Sequence, residues 1–284
     1  MTLLYLKPYR GLQLILKVET LEHSQFLMEY LRRLQLASLF LLAFVCGVSE
    51  AAQVALIIDD IGYKKTDHQV LALPTNVTLS VLPFTPLGQR IADKANQQGH
   101  EVMLHIPMQS LQGNRLGKGG LNNDMDEAEL TDILEQALAD IPYAKGLNNH
   151  MGSLLTQLPR PMHWTMATLQ KHRLFFIDSS TTKYTVARDI AQQYQVPHIK
   201  RHVFLDNNLD PKSLESQFKH LLWLAKKRKS TVAIAHPHKE TLRFLVANLD
   251  RLKQAGIELV PASELFKTIP KNTGFQNIIS IKKQ

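Results

Sequence analysis

Short apolar runs that end at polar residues recur along this chain, and longer amphipathic stretches separate them. Residues 54–58 form such a run and stop at two aspartates, and residues 77–82 and 101–106 follow the same pattern. Runs of this length, bounded by polar residues, are typical of buried β-strands. Further strands are predicted within residues 174–177, 196–205, 231–235 and 257–260. Strands that alternate with helical stretches predict an α/β fold with a parallel sheet.

Helix-start residues support this alternation. A helix is predicted over residues 126–139, where the first residue is an aspartate, and Asp210 followed by Pro211 begins another. An aspartate caps free backbone N–H groups, and proline is favoured at the first helical position. A further helix is predicted after the strand at 231–235 and extends to residue 254. Seven or eight strand–helix units over about 230 residues favour a barrel over an open sheet.

The first fifty residues have a different pattern, that of an export signal. Residues 34–48 are almost wholly apolar, follow two arginines, and precede the small residues Ser49 and Ala51. A positive region, an apolar core and a small-x-small site describe a secretory signal. The apolar run is shorter than the about 20 residues that cross a membrane. We therefore predict a signal peptide over residues 28–52, with an uncleaved membrane anchor as the alternative.

An export signal places the rest of the chain in the periplasm or outside the cell. Residues 1–27 hold no motif, and Met28 gives a signal of ordinary length, so 1–27 are interpreted as an over-long start. Residues 53–268 form the predicted single domain, and 269–284 a basic tail. The single cysteine, Cys46, lies within the signal. The domain therefore has no thiol for catalysis or zinc binding.

Basic residues are in excess over the whole chain. There are 33 Lys and Arg against 25 Asp and Glu, a formal net charge of +8. A moderate excess of this sign favours an anionic polymer or a membrane surface as a neighbour. The basic run at residues 226–229 suits a helix C-terminus and is interpreted as a solvated face. No motif supports nucleic acid binding.

Polar and ionisable residues collect where the predicted strands end. They are Asp59, Asp60, His105, Asn148, Asn149, His150, Asp178, Ser179, Ser180 and His236. The carboxyl ends of parallel barrel strands open on one face, where barrel enzymes hold their catalytic groups. One carboxylate and two imidazoles suit a divalent metal with an open water position, most naturally Zn²⁺. These residues are sufficient for metal-assisted hydrolysis of an amide or an ester.

Several motifs resemble those of the polysaccharide deacetylase (NodB homology) superfamily. Residues 57–62 (IIDDIG), 99–105 (GHEVMLH) and 233–237 (AIAHP) are similar to its Asp-Asp-x-Gly, Gly-His-Glu-x-x-x-His and Leu-x-His segments. The versions LHIPM, LNNHMGS, FIDSSTT and RHVFLDN resemble those of the divergent polysaccharide deacetylase family. The resemblance spans residues 53–265. It implies a deformed (β/α)7-type barrel and a Zn-dependent deacetylase that removes N- or O-acetyl groups from a polysaccharide.

The resemblance also implies roles for individual residues. Asp59 matches the general base and His236 the general acid. Asp60 and His105 match metal ligands. The superfamily has a second histidine shortly after the first, but here residues 106–109 contain none. We infer from its place in LNNHMGS that His150 is the substitute ligand.

Other parts of the superfamily pattern are also altered, because its Arg-x-Pro-Tyr and Asp-x-x-Asp-Trp segments are absent. We predict that Arg201 and Asp178 orient the base and line the pocket, and that Asn149 and Ser179 complete the substrate-binding set. The alternative to an enzyme is an envelope module that binds a glycan or a protein partner. A metallophosphoesterase or glycosyl-transfer enzyme is a third reading. The glycine-rich residues 113–120 lack phosphate-loop spacing, however, and are interpreted as a flexible rim loop.

Overall fold

The computed structural model of the chain describes residues 28–33, 35 and 51–267, which fall in two separate units. In the first unit, residues 28–33 and 35 are helical and exposed. The second unit begins at Ala51. The predicted extension and basic tail therefore lie outside the described residues, as does most of the predicted signal. In the described parts of the chain, no helix combines the length and apolar character needed to cross a membrane.

Within residues 51–267, nine β-strands form one sheet. They are β1 (Ala52–Ile61), β2 (Thr78–Val81), β3 (Val102–Met108), β4 (Gly146–Met151), β5 (Phe175–Asp178), β6 (His198–Lys200), β7 (Val203–Phe204), β8 (Ser230–Ala235) and β9 (Ile257–Leu259). Their pairings are parallel, in the order β6-β5-β4-β3-β2-β1-β8-β7, and β9 pairs with the start of β1. The predicted α/β class is confirmed.

Helices connect most of the strands. They are α1 (Gly88–Gln97), α2 (Glu127–Asp140), α3 (Pro159–His172), α4 (Ala187–Gln193), α5 (Pro211–Lys227), α6 (Lys239–Asn248) and α7 (Asp250–Gln254), with 3-10 helices at Lys65–Ala72, Leu155–Gln157 and Ala262–Phe266. Asp126 and Asp210 accept hydrogen bonds from first-turn N–H groups of α2 and α5, as predicted. The single helix predicted up to residue 254 is instead divided. Asn248 donates its side-chain amide to the Phe244 carbonyl at 2.9 Å, and such bonds compete with the helical backbone pattern.

The sheet curls without closing, because β6 and β7 are the two ends of the strand order. Residues 196–205, predicted to contain one strand, hold both. Between them, the Arg201 N–H donates to the Asp178 carbonyl at 2.8 Å, and the His202 N–H donates to the Val232 carbonyl at 2.9 Å. The chain thus passes from one end of the sheet to the other within two residues. This split is the deformation of the (β/α)7-type barrel, and the predicted fold is confirmed.

Alternate strand residues face the inside of the curled sheet and the surrounding helices. The interior cluster includes Ala55, Ile57, Met103, Phe175, Ile177, Val232 and Ile234. Leu56 and Ile58 belong instead to the larger cluster shared with the helices. Both sets are apolar because both faces of a parallel sheet are covered. Polar residues continue the inward rows towards the carboxyl ends, namely Asp59, His105, Ser179 and His236. Strand alternation therefore gathers these side chains above the interior cluster.

Candidate active site and metal centre

Two consecutive aspartates reach the site because strand β1 is bulged where they occur. Between Ile58 and Ile61, β1 has one residue more than the paired part of β2. Asp60 has a φ of 58°, in the left-handed region. Neighbouring side chains of a regular strand point to opposite faces, and a bulge redirects one of them. The bulge thus places Asp60 beside the site that Asp59 reaches by normal alternation.

The loop after the bulge requires glycine at position 62. Gly62 has a φ of 141°, and a Cβ there would lie 2.0 Å from Thr85 Oγ1. Asp67 is fully buried, and its Oδ2 accepts hydrogen bonds from the N–H groups of Gly62 at 3.0 Å and Lys64 at 2.9 Å. These contacts hold the chain in position directly after Asp60.

Asp60 and His150, near the carboxyl ends of β1 and β4, come together with His105 from the middle of β3. Asp60 Oδ1 lies 3.0 Å from His105 Nε2 and 2.7 Å from His150 Nδ1. One donor atom from each residue lies within 4.8 Å of the other two. His105 is buried, whereas Asp60 and His150 are about one-third exposed. This cluster could hold one small cation and stays accessible from solvent.

Asn148 connects this cluster to Asp59. Its Nδ2 donates to the two Asp59 oxygens at 2.8 and 3.0 Å. Its Oδ1 faces His105 Nδ1 at 2.7 Å and accepts from Ser80 Oγ at 2.6 Å. A carboxylate only accepts, so Asp59 determines which way the amide points, and His105 must donate from Nδ1. A neutral His105 then has its lone pair on Nε2, the atom that faces Asp60, as a metal ligand requires.

Burial and charge separate the two aspartates chemically. Burial raises the pKa of Asp59, although the nearby His105 and His236 partly offset it. Burial also acts on Asp60, but the hydrogen bonds from His105 and His150 outweigh it and hold its pKa well below the usual range. Burial would lower the pKa of His105, but Asp59 and Asp60 raise it to about 9. Asp59 is therefore the better proton acceptor, and Asp60 stays ionised as a ligand should.

His236 faces Asp60 from β8 and is held by Asp206. The two Asp206 oxygens lie 3.0 Å from His236 Nδ1 and 2.7 Å from its backbone nitrogen, and one also accepts from Thr241 Oγ1 at 2.9 Å. His236 Nε2 lies 3.7 Å from Asp60 Oδ2. Burial lowers the pKa of His236, but Asp206 outweighs this and raises it overall. An imidazole that is oriented in this way and has a raised pKa suits a proton donor.

Asn149 and Asp178, both predicted to bind substrate, are buried and bonded within the protein. Asn149 donates to the Met151 carbonyl at 2.6 Å and accepts from the Ser179 N–H at 3.0 Å. Asp178 accepts from the Ser180 N–H at 2.7 Å, and burial raises its pKa. Both side chains shape the loops after β4 and β5, and their contact with substrate stays a prediction.

Arg201 and Ser179 lie beside the split in the sheet. The Arg201 guanidinium donates to the Ser179 carbonyl at 2.7 Å and to the Ser180 carbonyl at 3.3 Å. It also lies 4.7 Å from the Phe204 ring centre. Its charge acts on Asp59 and Asp178, so any influence on the base is electrostatic. The Ser179 hydroxyl is buried and has no hydrogen-bond partner among the described residues.

Two residues without a predicted individual role contribute to the site, Asn148 and Asp206. Asn148 shares a face of β4 with His150, two residues on, whereas Asn149 points the other way. The two-residue period of a strand could therefore have identified Asn148. Asp206 closely follows β7, so the strand-end pattern that singled out Asp178 applies to it too.

The glycine-rich residues 113–120 belong to the loop that follows β3. Hydrogen bonds from the Leu121 N–H to the Pro107 carbonyl and from the Gln109 N–H to the Leu121 carbonyl tie the loop to that strand. Residues of this loop line a cavity of about 500 Å³. The loop begins at the carboxyl end of β3, and His105 belongs to the same strand.

A comparison with protein families agrees with this architecture. The family model described as divergent polysaccharide deacetylase matches residues 56–266, most of the chain. The chain belongs to the divergent polysaccharide deacetylase family. Its matched region contains every residue of the site described above.

Similar proteins occur in several bacteria. Uncharacterized protein YibQ of Escherichia coli (strain K12) is 39% identical over 249 residues, covering 85% of this chain and 77% of that protein. An uncharacterized protein of Haemophilus influenzae is 35% identical over 217 residues, covering 76% and 77%. The crystal structure of uncharacterized protein ATU2773 from Agrobacterium tumefaciens C58 superposes with a TM-score of 0.73 at 22% identity, covering 77% of this chain and 91% of that one. That likeness supports the fold.

Proposed function

We propose that this protein is a metal-dependent hydrolase that removes N- or O-acetyl groups from a polysaccharide in the periplasm or outside the cell. The observation that carries the proposal is the convergence of Asp60, His105 and His150 between two candidate proton-transfer groups, Asp59 and His236. Structural zinc sites are closed by four protein ligands, whereas catalytic ones keep a position open. The three donors here match the catalytic kind.

The residues present fit a divalent ion, most naturally Zn²⁺. Asp60, His105 and His150 would hold it, and the hydrogen bond between His105 Nδ1 and Asn148 is the outer contact that a ligating histidine usually makes. When bound, the ion supplies Lewis acidity, which polarises the acyl carbonyl and makes water a better proton donor.

Asp59 acts as the general base in this proposal. Its carboxylate is buried, and the Asn148 amide holds both of its oxygens. Because burial raises its pKa, Asp59 binds a proton more readily than an exposed aspartate does. It takes the proton from the attacking water.

His236 acts as the general acid. Its Nδ1 is paired with Asp206, so Nε2 is the atom that can give a proton towards the site. It protonates the leaving amine or alcohol as the acyl bond breaks. Asp206 has no exposed side-chain surface, and it holds the imidazole in place during this transfer.

Two observations support a polysaccharide as the substrate. The description of the matching family names this class of polymer. The formal charge of +8 suits a polymer with anionic groups. The predicted export signal supports a polymer outside the cytoplasm, where cell-envelope polysaccharides lie.

Acetate release from acetylated glucosamine oligomers tests the proposal. Zinc-loaded protein is expected to release acetate. The Asp59→Asn variant is expected to release it at least about 100-fold more slowly, because a general base usually contributes a factor of that size or larger. Zinc content is measured for both proteins and for His150→Ala, which is expected to lose zinc. Release no faster than from the Asp59→Asn control would overturn the catalytic proposal. Retained zinc without turnover would support the alternative of a glycan- or protein-binding module.

A further inference from the structure

We propose that the amino-terminal edge of the sheet carries a docking patch for an anionic phospholipid surface. The patch consists of Trp223, Lys226, Lys227 and Arg228, at the end of α5 and directly after it. Contact between this patch and a membrane would not require the proposed activity.

Trp223 supplies the apolar part of the patch. The residue is 52% exposed, which is unusual for so large an apolar ring. Lys227 Nζ lies 4.1 Å from the ring centre, and His220 stacks on the ring at 5.7 Å. Tryptophan, like tyrosine, is enriched at the boundary between the headgroups and the acyl chains of a bilayer. A tryptophan flanked by cations combines the two features that such a boundary selects.

Positive charge surrounds this tryptophan. Lys226, Lys227, Arg228 and Lys229 closely follow Trp223, and Lys219, one turn before it, pairs with Glu215 at 3.4 Å. Glu215 also forms two hydrogen bonds with Arg251, at 2.8 and 3.0 Å. Glu258 lies at the same edge of the sheet, where it accepts from Gln53. Lys226, Lys227 and Arg228 are all exposed, and basic clusters of this kind are attracted to anionic lipid headgroups.

The position of the patch favours lipid over other anionic partners. The strands are parallel, and β1 and β8 begin side by side, with Gln53 opposite Ser230. The Gln53 N–H donates to the Lys229 carbonyl at 2.9 Å. The chain that precedes Ala52, predicted to be an export signal or a membrane anchor, therefore joins the domain beside the patch. A soluble acidic polysaccharide would also match the charge and could stack on the tryptophan, whereas only a membrane matches the predicted point of entry as well.

The orientation that follows places the candidate active site away from the lipid. Asp60, His105 and His150 lie towards the carboxyl ends of the strands, whereas the patch lies at the amino ends. Helix α5 runs between the two edges, and its 17 residues span about 25 Å at 1.5 Å each. A domain resting on the patch would present its site to a polymer beyond the bilayer.

The test uses the full chain reconstituted in lipid vesicles. The substitution Trp164→Phe leaves Trp223 as the one tryptophan of the chain. Lipids brominated on the acyl chains quench tryptophan only where it contacts the bilayer. In vesicles with about 30% phosphatidylglycerol, we expect Trp223 emission to fall about twofold relative to unbrominated lipid. In pure phosphatidylcholine, or in about 0.5 M NaCl, we expect little quenching because the attraction is electrostatic.

A charge-reversed pair and a matched control complete the design. Lys226→Glu/Lys227→Glu is expected to abolish the quenching, whereas Arg90→Glu/Lys94→Glu, two exposed cations of α1, is expected to retain it. The proposal is overturned if the chain co-floats with anionic vesicles but Trp223 is not quenched by brominated lipid. It is overturned too if Trp223 is quenched equally in anionic vesicles and in pure phosphatidylcholine vesicles. It is also overturned if a soluble anionic polysaccharide changes Trp223 emission while brominated lipid does not. The comparison between brominated and unbrominated lipid is made with the Trp164→Phe protein alone. Its result therefore does not depend on whether a charge-reversed variant folds.

Discussion

At the scale of single residues, one side-chain amide links the candidate base to a candidate metal ligand. Asn148 donates to both oxygens of Asp59 and accepts from His105 Nδ1 and the Ser80 hydroxyl. The amide is fully buried, so each of these groups would lose its partner without gaining water if the amide were removed. Outer contacts of this kind set the tautomer and the ring orientation of a ligating histidine.

Asn148→Leu is therefore expected to weaken zinc binding by about 10- to 100-fold, the usual effect of losing such an outer contact. The reason is that His105 would no longer be held with Nε2 towards Asp60. Calorimetric titration of chelator-stripped protein with zinc measures the change. Ser80→Ala removes only one bond to the amide and is expected to change the affinity far less. Unchanged affinity in Asn148→Leu would show that the amide does not position the ligand.

At the scale of elements, the short strand β7 is joined to β8 through a histidine that must be neutral. His202 Nδ1 accepts a hydrogen bond from the Val232 N–H at 3.0 Å. Burial, together with the charges of Arg228 and Lys200, lowers the pKa of His202 to about 4. Protonation of Nδ1 would remove the acceptor and break a contact at the split in the sheet.

We expect this histidine to make the fold less stable as the pH falls from about 6.5 to about 4. In the unfolded chain a histidine titrates near 6.5, so in this interval the unfolded state binds the proton first. The loss is about 1 kcal/mol after allowing for the partial exposure of the ring. Urea unfolding at about pH 7.5 and pH 5 measures it. His202→Asn offers an acceptor that does not titrate and should lose less stability; an equal loss in both proteins would contradict the assignment.

At the scale of the whole molecule, the candidate metal site joins strands that are far apart in the chain. Asp60 and His105 are 45 residues apart, and His150 comes from a further strand beyond them. An unfolded chain does not hold these three groups together, so an ion that they bind stabilises the folded state. The site is therefore expected to contribute to stability as well as to chemistry.

Zinc is expected to raise the melting temperature of chelator-stripped protein. At about 100 times the dissociation constant, binding adds about 2.7 kcal/mol to the free energy of unfolding. For a domain of this size, that corresponds to a rise of about 5–10 °C. Differential scanning calorimetry measures the change, and Asp60→Asn, which has nearly the same shape, is expected to show almost none. A similar rise in Asp60→Asn would mean that zinc stabilises the protein elsewhere.

The sequence by itself determined the α/β class, the caps of α2 and α5, and the polar residues that end the strands. These features depend on local causes, namely which residues are apolar, which can cap a helix and where a strand stops. Resemblance to the family added candidate roles for Asp59, Asp60, His105 and His236. Asp59, Asp60 and His236 lie at strand ends as predicted, whereas His105, predicted at the end of its strand, lies in the middle of β3 because that strand continues to Met108.

Only the tertiary structure decided how these groups meet. The bulge at Asp60 depends on the pairing of β1 with β2, and the choice of Asn148 over Asn149 depends on which face of β4 meets Asp59. The pairing of His236 with Asp206 and the split at Arg201 likewise need strands that are distant in sequence to lie side by side. Local patterns carry no information about such contacts, because each is set by a partner that only folding brings within hydrogen-bond distance.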